Sequence, residues 1–338
     1  MTINTVWFLV LAFMLAGYAV LDGFDLGVGS LHLFLGRTTR ERTTLVDAIG
    51  PVWNGNEVWL LAAGGAMVVA FPHLYATSFS GFYLALMLVL WLLLLRGLGI
   101  EFRHQIDSDL WRHAWDVVFC GASLLLALLF GVALGNVLRG LPLDAGGEFR
   151  GTFALLLNPF ALVGGVVSVA VLSLHGAAWI ALKSEGELQA RARRFARALW
   201  WPAVAMPALM VLASFIVRPD FTRNFAERPW LLLFPSFGIA AIAGVRVFQS
   251  RHDDLRAFLA GAAFIAAILA SVAAGLYPQL LPSRGDGPHP GLDIYNAASP
   301  ENSLRVALWI YLFGMVLVMV YLVNIYRVWR GKVRQVYH

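Results

Sequence analysis

The sequence predicts an all-α membrane protein that crosses the bilayer about nine times. Of its 338 residues, 59% are hydrophobic and 13% are charged, and the mean hydropathy is +0.72. A water-soluble domain needs more polar side chains than this to cover its surface. Runs of about 20 apolar residues, the length that a helix needs to cross the hydrocarbon core, recur along the whole chain. We therefore treat residues 1–338 as a single integral membrane domain.

Nine such runs are separated by short polar loops. They lie at residues 6–35, 53–72, 77–99, 116–138, 152–181, 199–217, 230–248, 257–281 and 304–326. The second is the weakest of the nine, and Asn158 and Pro159 are expected to kink the fifth. The first run follows an N-terminus without Lys or Arg and meets Asp22 instead of a small-residue cleavage site, so we expect a spanning helix and not a signal peptide.

Lys and Arg residues are unevenly distributed between the two sets of alternate loops. One set, which includes the C-terminal segment with Arg334, holds 18 of the 25 basic residues, and the other set holds seven. Because cytoplasmic loops of membrane proteins are enriched in Lys and Arg, the N-terminus is expected outside and the C-terminus in the cytoplasm. The net charge of +5 therefore reports topology and does not indicate a nucleic-acid partner.

Two carboxylates, Asp22 and Asp25, lie within the first run. They are three residues apart, so they lie one turn apart on one face of a helix and could share a proton or a cation. An ionisable group inside a span costs roughly 2.5–3.5 kcal/mol on insertion scales, so such groups are rare and often mark a functional path. In the predicted orientation both lie in the cytoplasmic third of the bilayer. The alternative is that both acids cap a helix end near the lipid headgroups.

The second run opens with a polar segment, residues 50–60 (GPVWNGNEVWL), in which a proline and glycines interrupt the helix. The backbone groups that this frees need polar partners or water, which predicts a wet cavity. Asn54 and Glu57 lie three residues apart there, on the same cytoplasmic side as the two aspartates. The alternative is an interfacial belt formed by Trp53 and Trp59, with Glu57 as a capping residue.

Two more ionisable side chains lie in or near the runs. Arg96 follows the apolar end of the third run, where it could pair with an acid but is expected to extend to the headgroups. His175 lies near the inner end of the fifth run, and a lone histidine there is more often a hydrogen-bonded residue than a ligand. With only His32 and His73 near other span ends, the chain is poorly equipped for haem, which needs axial ligands on inward faces. The sequence contains no motif for a metal site or a nucleotide-driven pump.

Five segments resemble the signature segments of subunit II of cytochrome bd-type, cyanide-insensitive-like quinol oxidases. They are residues 17–29, 50–60, 157–168, 175–188 and 294–298, and they match in order over essentially the whole chain. The resemblance implies two four-helix bundles plus one peripheral helix, in a bacterial cytoplasmic membrane. It also implies a heterodimer with a larger subunit I that carries two b-type haems, one d-type haem and the quinol site. Small accessory subunits, and a structural quinone bound to subunit II, occur in some members.

The resemblance further implies quinol oxidation on the outer side, reduction of dioxygen to water and proton uptake from the cytoplasm, which generates a membrane potential without pumping. The family's proton route begins in subunit II, at positions that here are Asp22, Asp25 and the tryptophan motif. Some relatives have an aspartate where this chain has Asn54. An amide cannot exchange protons as a carboxylate does, so we expect Glu57 to titrate and Asn54 to order water. We assign supporting positions to Trp53, Arg96 and His175.

Two other functions fit the same residues. A stand-alone proton-coupled transporter also combines intramembrane acids with broken helices, and it would purify alone, without haem absorbance. In a purely structural subunit, the acids would only fix helix packing.

Overall fold

The computed structural model describes residues 1–284 and 290–333, and most of these are helical. Arg334, one of the residues behind the predicted orientation, lies outside the described residues. In chain order the helices are α1 (Ile3–Ser30), α2 (His32–Leu35), α3 (Thr39–Asp47), α4 (Trp53–Ala70), α5 (Pro72–Gly81), α6 (Tyr83–Phe102), α7 (Asp109–Arg139), α8 (Phe153–Leu156), α9 (Pro159–Lys183), α10 (Gly186–Val217), α11 (Arg223–Glu227), α12 (Leu233–Ser250), α13 (Asp254–Leu276) and α14 (Glu301–Val328). Two short strands, β1 (Gln279–Pro282) and β2 (Gly291–Asp293), form an antiparallel hairpin.

Within the described residues, eight helices are long and apolar enough to cross a membrane. They are α1, α6, α7, α9, α10, α12, α13 and α14. The second predicted span is the 18-residue helix α4, whose polar first turns keep it outside that group. It nevertheless packs along α1, since Asn56 near its start bonds to Asp25 and Trp59 lies against Gly17. Its last residue, Ala70, accepts a hydrogen bond from Ser299, beside the start of α14. The all-α polytopic fold is confirmed, with eight candidate spans in the described residues where the sequence predicted nine; α4 occupies the position of the second predicted span but is less apolar than the eight.

Several helix boundaries differ from the predicted ones. The expected kink at Asn158 and Pro159 is wrong, because Asn158 caps the start of α9 and Pro159 occupies its first turn, where a missing N–H costs nothing. The third predicted run begins inside α5, which is separate from α6. Helix α10 starts at Gly186, well before residue 199, since its first turns are amphipathic and bury Arg191 together with small apolar side chains. A search for apolar runs does not detect the amphipathic first turns of a helix.

The long helices form two groups of four, which meet mainly where α1 and α7 of the first group pack against α9 of the second. Helices α1, α4, α6 and α7 pack as one group, α9, α10, α12 and α13 as the other, and α14 lies on the outside against α1 and α4. Helices α1 and α9 cross with their backbones in contact at Gly27 of α1 and Gly176 of α9. A Cβ on either glycine would collide with the main chain of the other helix. Two four-helix bundles plus one peripheral helix is the arrangement that the resemblance predicts.

The hairpin and its flanking segments cover the end of the bundle at which α1 begins. Asn4 donates a hydrogen bond to the Ile294 carbonyl at 2.5 Å, and Trp7 donates to the Leu304 carbonyl at 3.0 Å. The loop between the eighth and ninth predicted runs is therefore structured, as expected, although residues 285–289 lie outside the described residues. Strand β1 occupies the end of the eighth predicted run, so that the helix stops at Leu276 instead of continuing to residue 281.

Candidate functional site

A buried ion pair joins the first helix to α6. The Arg96 Nη1 donates to the Asp22 Oδ2 at 2.8 Å, and the two side chains are 1% and 0% exposed. Arg96 also reaches the Oε2 of Glu57 on α4 at 3.4 Å. The expectation that Arg96 extends to the headgroups is therefore wrong, and so is the alternative in which the acids of α1 cap a helix end.

Asp25 has a different partner, the amide of Asn56. The Asn56 Nδ2 donates to the Asp25 Oδ2 at 2.8 Å and to the Leu21 carbonyl at 3.1 Å. The Asn56 Oδ1 accepts a hydrogen bond from the Tyr326 hydroxyl on α14 at 3.0 Å. Both Asp25 and Asn56 are buried. The two aspartates thus lie on one face of α1, as predicted, but they bond to partners on different helices.

Asn54 lies apart from this cluster, since its side chain is exposed on the surface of α4. The amide that contacts the acids belongs to Asn56, which the sequence analysis missed. A signal was present, because Asn56 follows Trp53 by three residues and precedes Trp59 by three, so it shares the face of both tryptophans on a helix. Both tryptophans are buried, Trp53 beside Gly97 and Trp59 beside Gly17, and an interfacial belt is therefore the wrong interpretation of them.

The cluster contains more acids than cations. The Arg96 guanidinium pairs with Asp22 and Glu57, whereas Asp25 forms no ion pair in the described parts of the chain and bonds only to the neutral amide of Asn56. The Oδ1 atoms of Asp22 and Asp25 are buried and have no hydrogen-bond partner among the described residues. Because an unpaired buried carboxylate is costly, the arrangement favours the binding of a proton to at least one of the acids. Glu57, whose side chain is 22% exposed, is the member nearest to solvent.

The two buried histidines of the bundle have structural hydrogen bonds. His175 donates from Nε2 to the Val20 carbonyl at 3.1 Å and stacks on Phe258, with 4.6 Å between ring centroids. The Nε2 of His32 contacts the Oδ1 of Asp116 at 2.7 Å. A histidine that binds haem iron needs a ring nitrogen that faces a haem-sized cavity. The Nε2 atoms are engaged and the rings are packed against protein, so these residues do not fit a haem.

A second buried ion cluster surrounds Asp116 near the start of α7, and the sequence analysis did not identify it. Its oxygens accept from Arg103 Nε at 2.7 Å and from Arg42 Nη1 at 3.1 Å, in addition to His32. Arg103 is 1% exposed. These bonds tie α6 and α7 to the segment between α1 and α4. An acid at the first position of an apolar run, with arginines in two neighbouring connecting segments, was the available signal.

Comparison with known proteins shows the relationship directly. The chain matches the family "Cytochrome bd terminal oxidase subunit II" over residues 3–329. It is 34% identical to a probable cytochrome oxidase subunit 2 of Haemophilus influenzae, with 96% of this chain and 92% of that protein covered. It is 33% identical to the cytochrome bd-I ubiquinol oxidase subunit 2 of Escherichia coli strain K12, over 94% of this chain and 91% of that protein.

A solved structure has the same fold. The bd oxidase from Geobacillus thermodenitrificans includes a chain that superposes with a TM-score of 0.80 at 18% identity, covering 98% of this chain and 99% of that one. The match over nearly the whole length and the identity to the curated relatives show that this chain belongs to the cytochrome bd terminal oxidase subunit II family.

Proposed function

We propose that this chain supports a haem-bearing subunit I in a quinol:oxygen oxidoreductase and conducts protons toward it from the cytoplasmic side. Membership of the family makes the chain a subunit of an inner-membrane oxidoreductase and implies a subunit I partner that holds the haems. In that partner the two b-type haems and the d-type haem supply the electron transfer from quinol and the reduction of dioxygen to water. The acidic side chains of this chain bind the protons on their way to that partner.

The observation that carries the proposal is the excess of buried acid around one arginine. Glu57, partly exposed, takes up a proton from the inner face and lies next to Arg96, which also holds Asp22. Asp25, one turn further along α1, is buried and has a neutral amide partner. A proton that reaches Asp25 removes a poorly compensated buried charge, so this acid is the one best placed to hold it.

The direction of uptake follows from the proposed orientation, in which the N-terminus is outside. The unequal distribution of Lys and Arg supports it. Arg96 and Arg103 are buried in ion pairs and are not loop charges, but the other basic residues keep the same asymmetry. Proton uptake inside combined with quinol oxidation outside generates a membrane potential without a pump.

Oxygen consumption with quinol in the assembled complex tests the proposal. Asp25→Asn and Glu57→Gln are each expected to lower turnover about 100- to 10,000-fold, the range in which a positioned proton donor or acceptor contributes, and to change its pH profile. Asp109→Asn, at an exposed carboxylate at the start of α7, is the control and should leave both unchanged. Normal turnover and pH dependence in Asp25→Asn and Glu57→Gln would show that the acids are not on the route.

A structural role for the acids is the second candidate, and the Asp22–Arg96 ion pair that joins α1 to α6 favours it. In that case the variants at Asp25 and Glu57 should reduce the yield or thermal stability of the complex, while the turnover of each assembled molecule stays normal.

A further inference from the structure

The hydrogen bonds of Asn56 define which oxygen of Asp25 is free to exchange a proton. The Leu21 carbonyl can only accept a hydrogen bond, so the Asn56 nitrogen must face it, and the same nitrogen faces the Asp25 Oδ2. The Asn56 oxygen then faces the Tyr326 hydroxyl, which donates to it. If the Asn56 amide were rotated by 180°, its oxygen would face the Leu21 carbonyl and the Asp25 Oδ2, and oxygen cannot donate a hydrogen bond to either. All three contacts therefore favour one orientation of this amide.

Only one of the two carboxylate oxygens of Asp25 is therefore hydrogen-bonded among the described residues. Its Oδ2 accepts the Asn56 hydrogen bond, whereas its Oδ1 is buried and has no partner among the described residues. A protonated carboxyl has one carbonyl oxygen, which accepts, and one hydroxyl oxygen, which donates. The amide occupies the accepting oxygen, and the proton belongs on the other.

We propose that Asn56 and Tyr326 are positioning residues, which hold the Asp25 carboxyl so that it takes up and releases its proton through Oδ1. The inference rests on the proposed function, since it assumes that Asp25 carries protons, and it extends the site to α14. Tyr326 packs against Trp179 of α9, with 6.4 Å between ring centroids, and so connects the peripheral helix to both bundles. Neither residue exchanges the proton itself, because the Asn56 amide separates the tyrosine hydroxyl from the acid.

Other ionisable groups surround this stretch of α1. They are Tyr18 and Asp22 on α1, Glu57 on α4, Arg96 on α6, His175 on α9 and Tyr326 on α14. Only the Asn56 amide bonds to the Asp25 carboxyl among the described residues, so its removal should act on Asp25 more than on the other groups.

Infrared difference spectroscopy of the assembled complex tests the proposal independently of turnover. The C=O stretch of protonated Asp25 is identified by its loss in Asp25→Asn. In Asn56→Leu the band should move to higher frequency, because the carbonyl oxygen loses its donor. In Tyr326→Phe the band should broaden, because the amide is no longer held in one orientation. Tyr326→Phe keeps the ring that packs against Trp179, so it tests the hydroxyl even if Asn56→Leu fails to assemble.

Turnover provides the second measurement. Tyr326→Phe should lower quinol oxidation roughly three- to tenfold, the effect of one hydrogen bond, and should shift its pH profile in the same direction as Asn56→Leu. Tyr83→Phe, at an exposed ring at the start of α6, is the control for loss of a tyrosine hydroxyl and should change neither the band nor the rate.

Two results separate the possible failures. If Asp25→Asn lowers turnover and removes the band, while Tyr326→Phe and Asn56→Leu leave the band and pH profile unchanged, the positioning role is wrong and the proton route stands. If Asp25→Asn removes no band and leaves turnover unchanged, Asp25 carries no proton and both proposals are wrong.

Discussion

At the scale of single residues, the charge of Arg96 decides how the acids of α1 are accommodated. Its guanidinium is buried and pairs with Asp22 at 2.8 Å. Taking two charges out of water is costly, and the pair is tolerated because each charge compensates the other. Loss of either partner leaves the remaining charge buried and unpaired, which is far more costly than loss of an exposed ion pair.

Arg96→Met should therefore destabilise the complex by about 3–5 kcal/mol, the usual cost of breaking a buried pair. Thermal unfolding or the yield of assembled complex measures this. The double variant Arg96→Met with Asp22→Asn should recover most of the loss, since no buried charge is then left on Asp22. Arg112→Gln is the control, because its partners Asp107 and Asp109 are 98% and 91% exposed, and it should have no measurable effect. Equal stability of the single and double variants would contradict this account.

The residue scale also shows where sequence reasoning about the site succeeds. Asp22, Asp25 and Glu57 could be selected from the sequence because a charge inside an apolar run is visible without a structure. Asn54 and Asn56 are both polar and lie in the same motif, so the motif alone does not choose between them. The turn of α4 exposes the first and buries the second against Asp25.

At the scale of the helices, glycines set how closely the two bundles approach. At Gly27 a side chain would collide with the Leu172 carbonyl and the Gly176 nitrogen of α9. Backbone contact of this kind depends on the absence of a Cβ. The crossing also positions the turn of α1 that carries Asp25, only two residues away.

Gly27→Val should prevent assembly or lower thermal stability strongly, because a branched side chain would push α1 away from α9. Gly121→Ala in α7 is the matched control, since a Cβ there meets nothing within 4 Å. It should be tolerated, and better helix propensity could raise stability slightly. Thermal unfolding of the two purified variants gives the comparison, and similar values for both would show that the crossing does not need close backbone contact.

At the same scale, helix boundaries follow from capping and not from apolarity. Asn158 and Pro159 begin α9, although an apolar run continues across them. Helix α10 begins in an amphipathic segment that hydropathy does not include. The apolar part of a span is visible in the sequence, but the cap depends on which backbone groups a neighbouring side chain can reach.

At the scale of the whole molecule, orientation in the membrane determines which solution supplies the protons. We expect the N-terminus outside, because most Lys and Arg residues lie in the loops of the opposite face. The chain contains one cysteine, Cys120, which is buried, so single-cysteine variants are straightforward to build on Cys120→Ser.

In intact cells, a membrane-impermeant thiol reagent should label Thr2→Cys and should not label Arg330→Cys. Both positions are exposed at opposite ends of the chain, so lysis of the cells should make both react. The reverse labelling pattern would place Glu57 near the outer face and would contradict proton uptake from the cytoplasm.

The sequence by itself determined the membrane class, most of the spans, the family and the acids of the candidate site, because long apolar runs and isolated charges within them are properties of the chain read in order. The tertiary structure alone decided the partners. The contacts of Arg96 with Asp22, of Asn56 with Asp25 and with Tyr326, and within the cluster around Asp116 join residues from separate helices. Which side chains meet depends on helix rotation and on backbone approach at glycines, and neither is encoded in hydropathy.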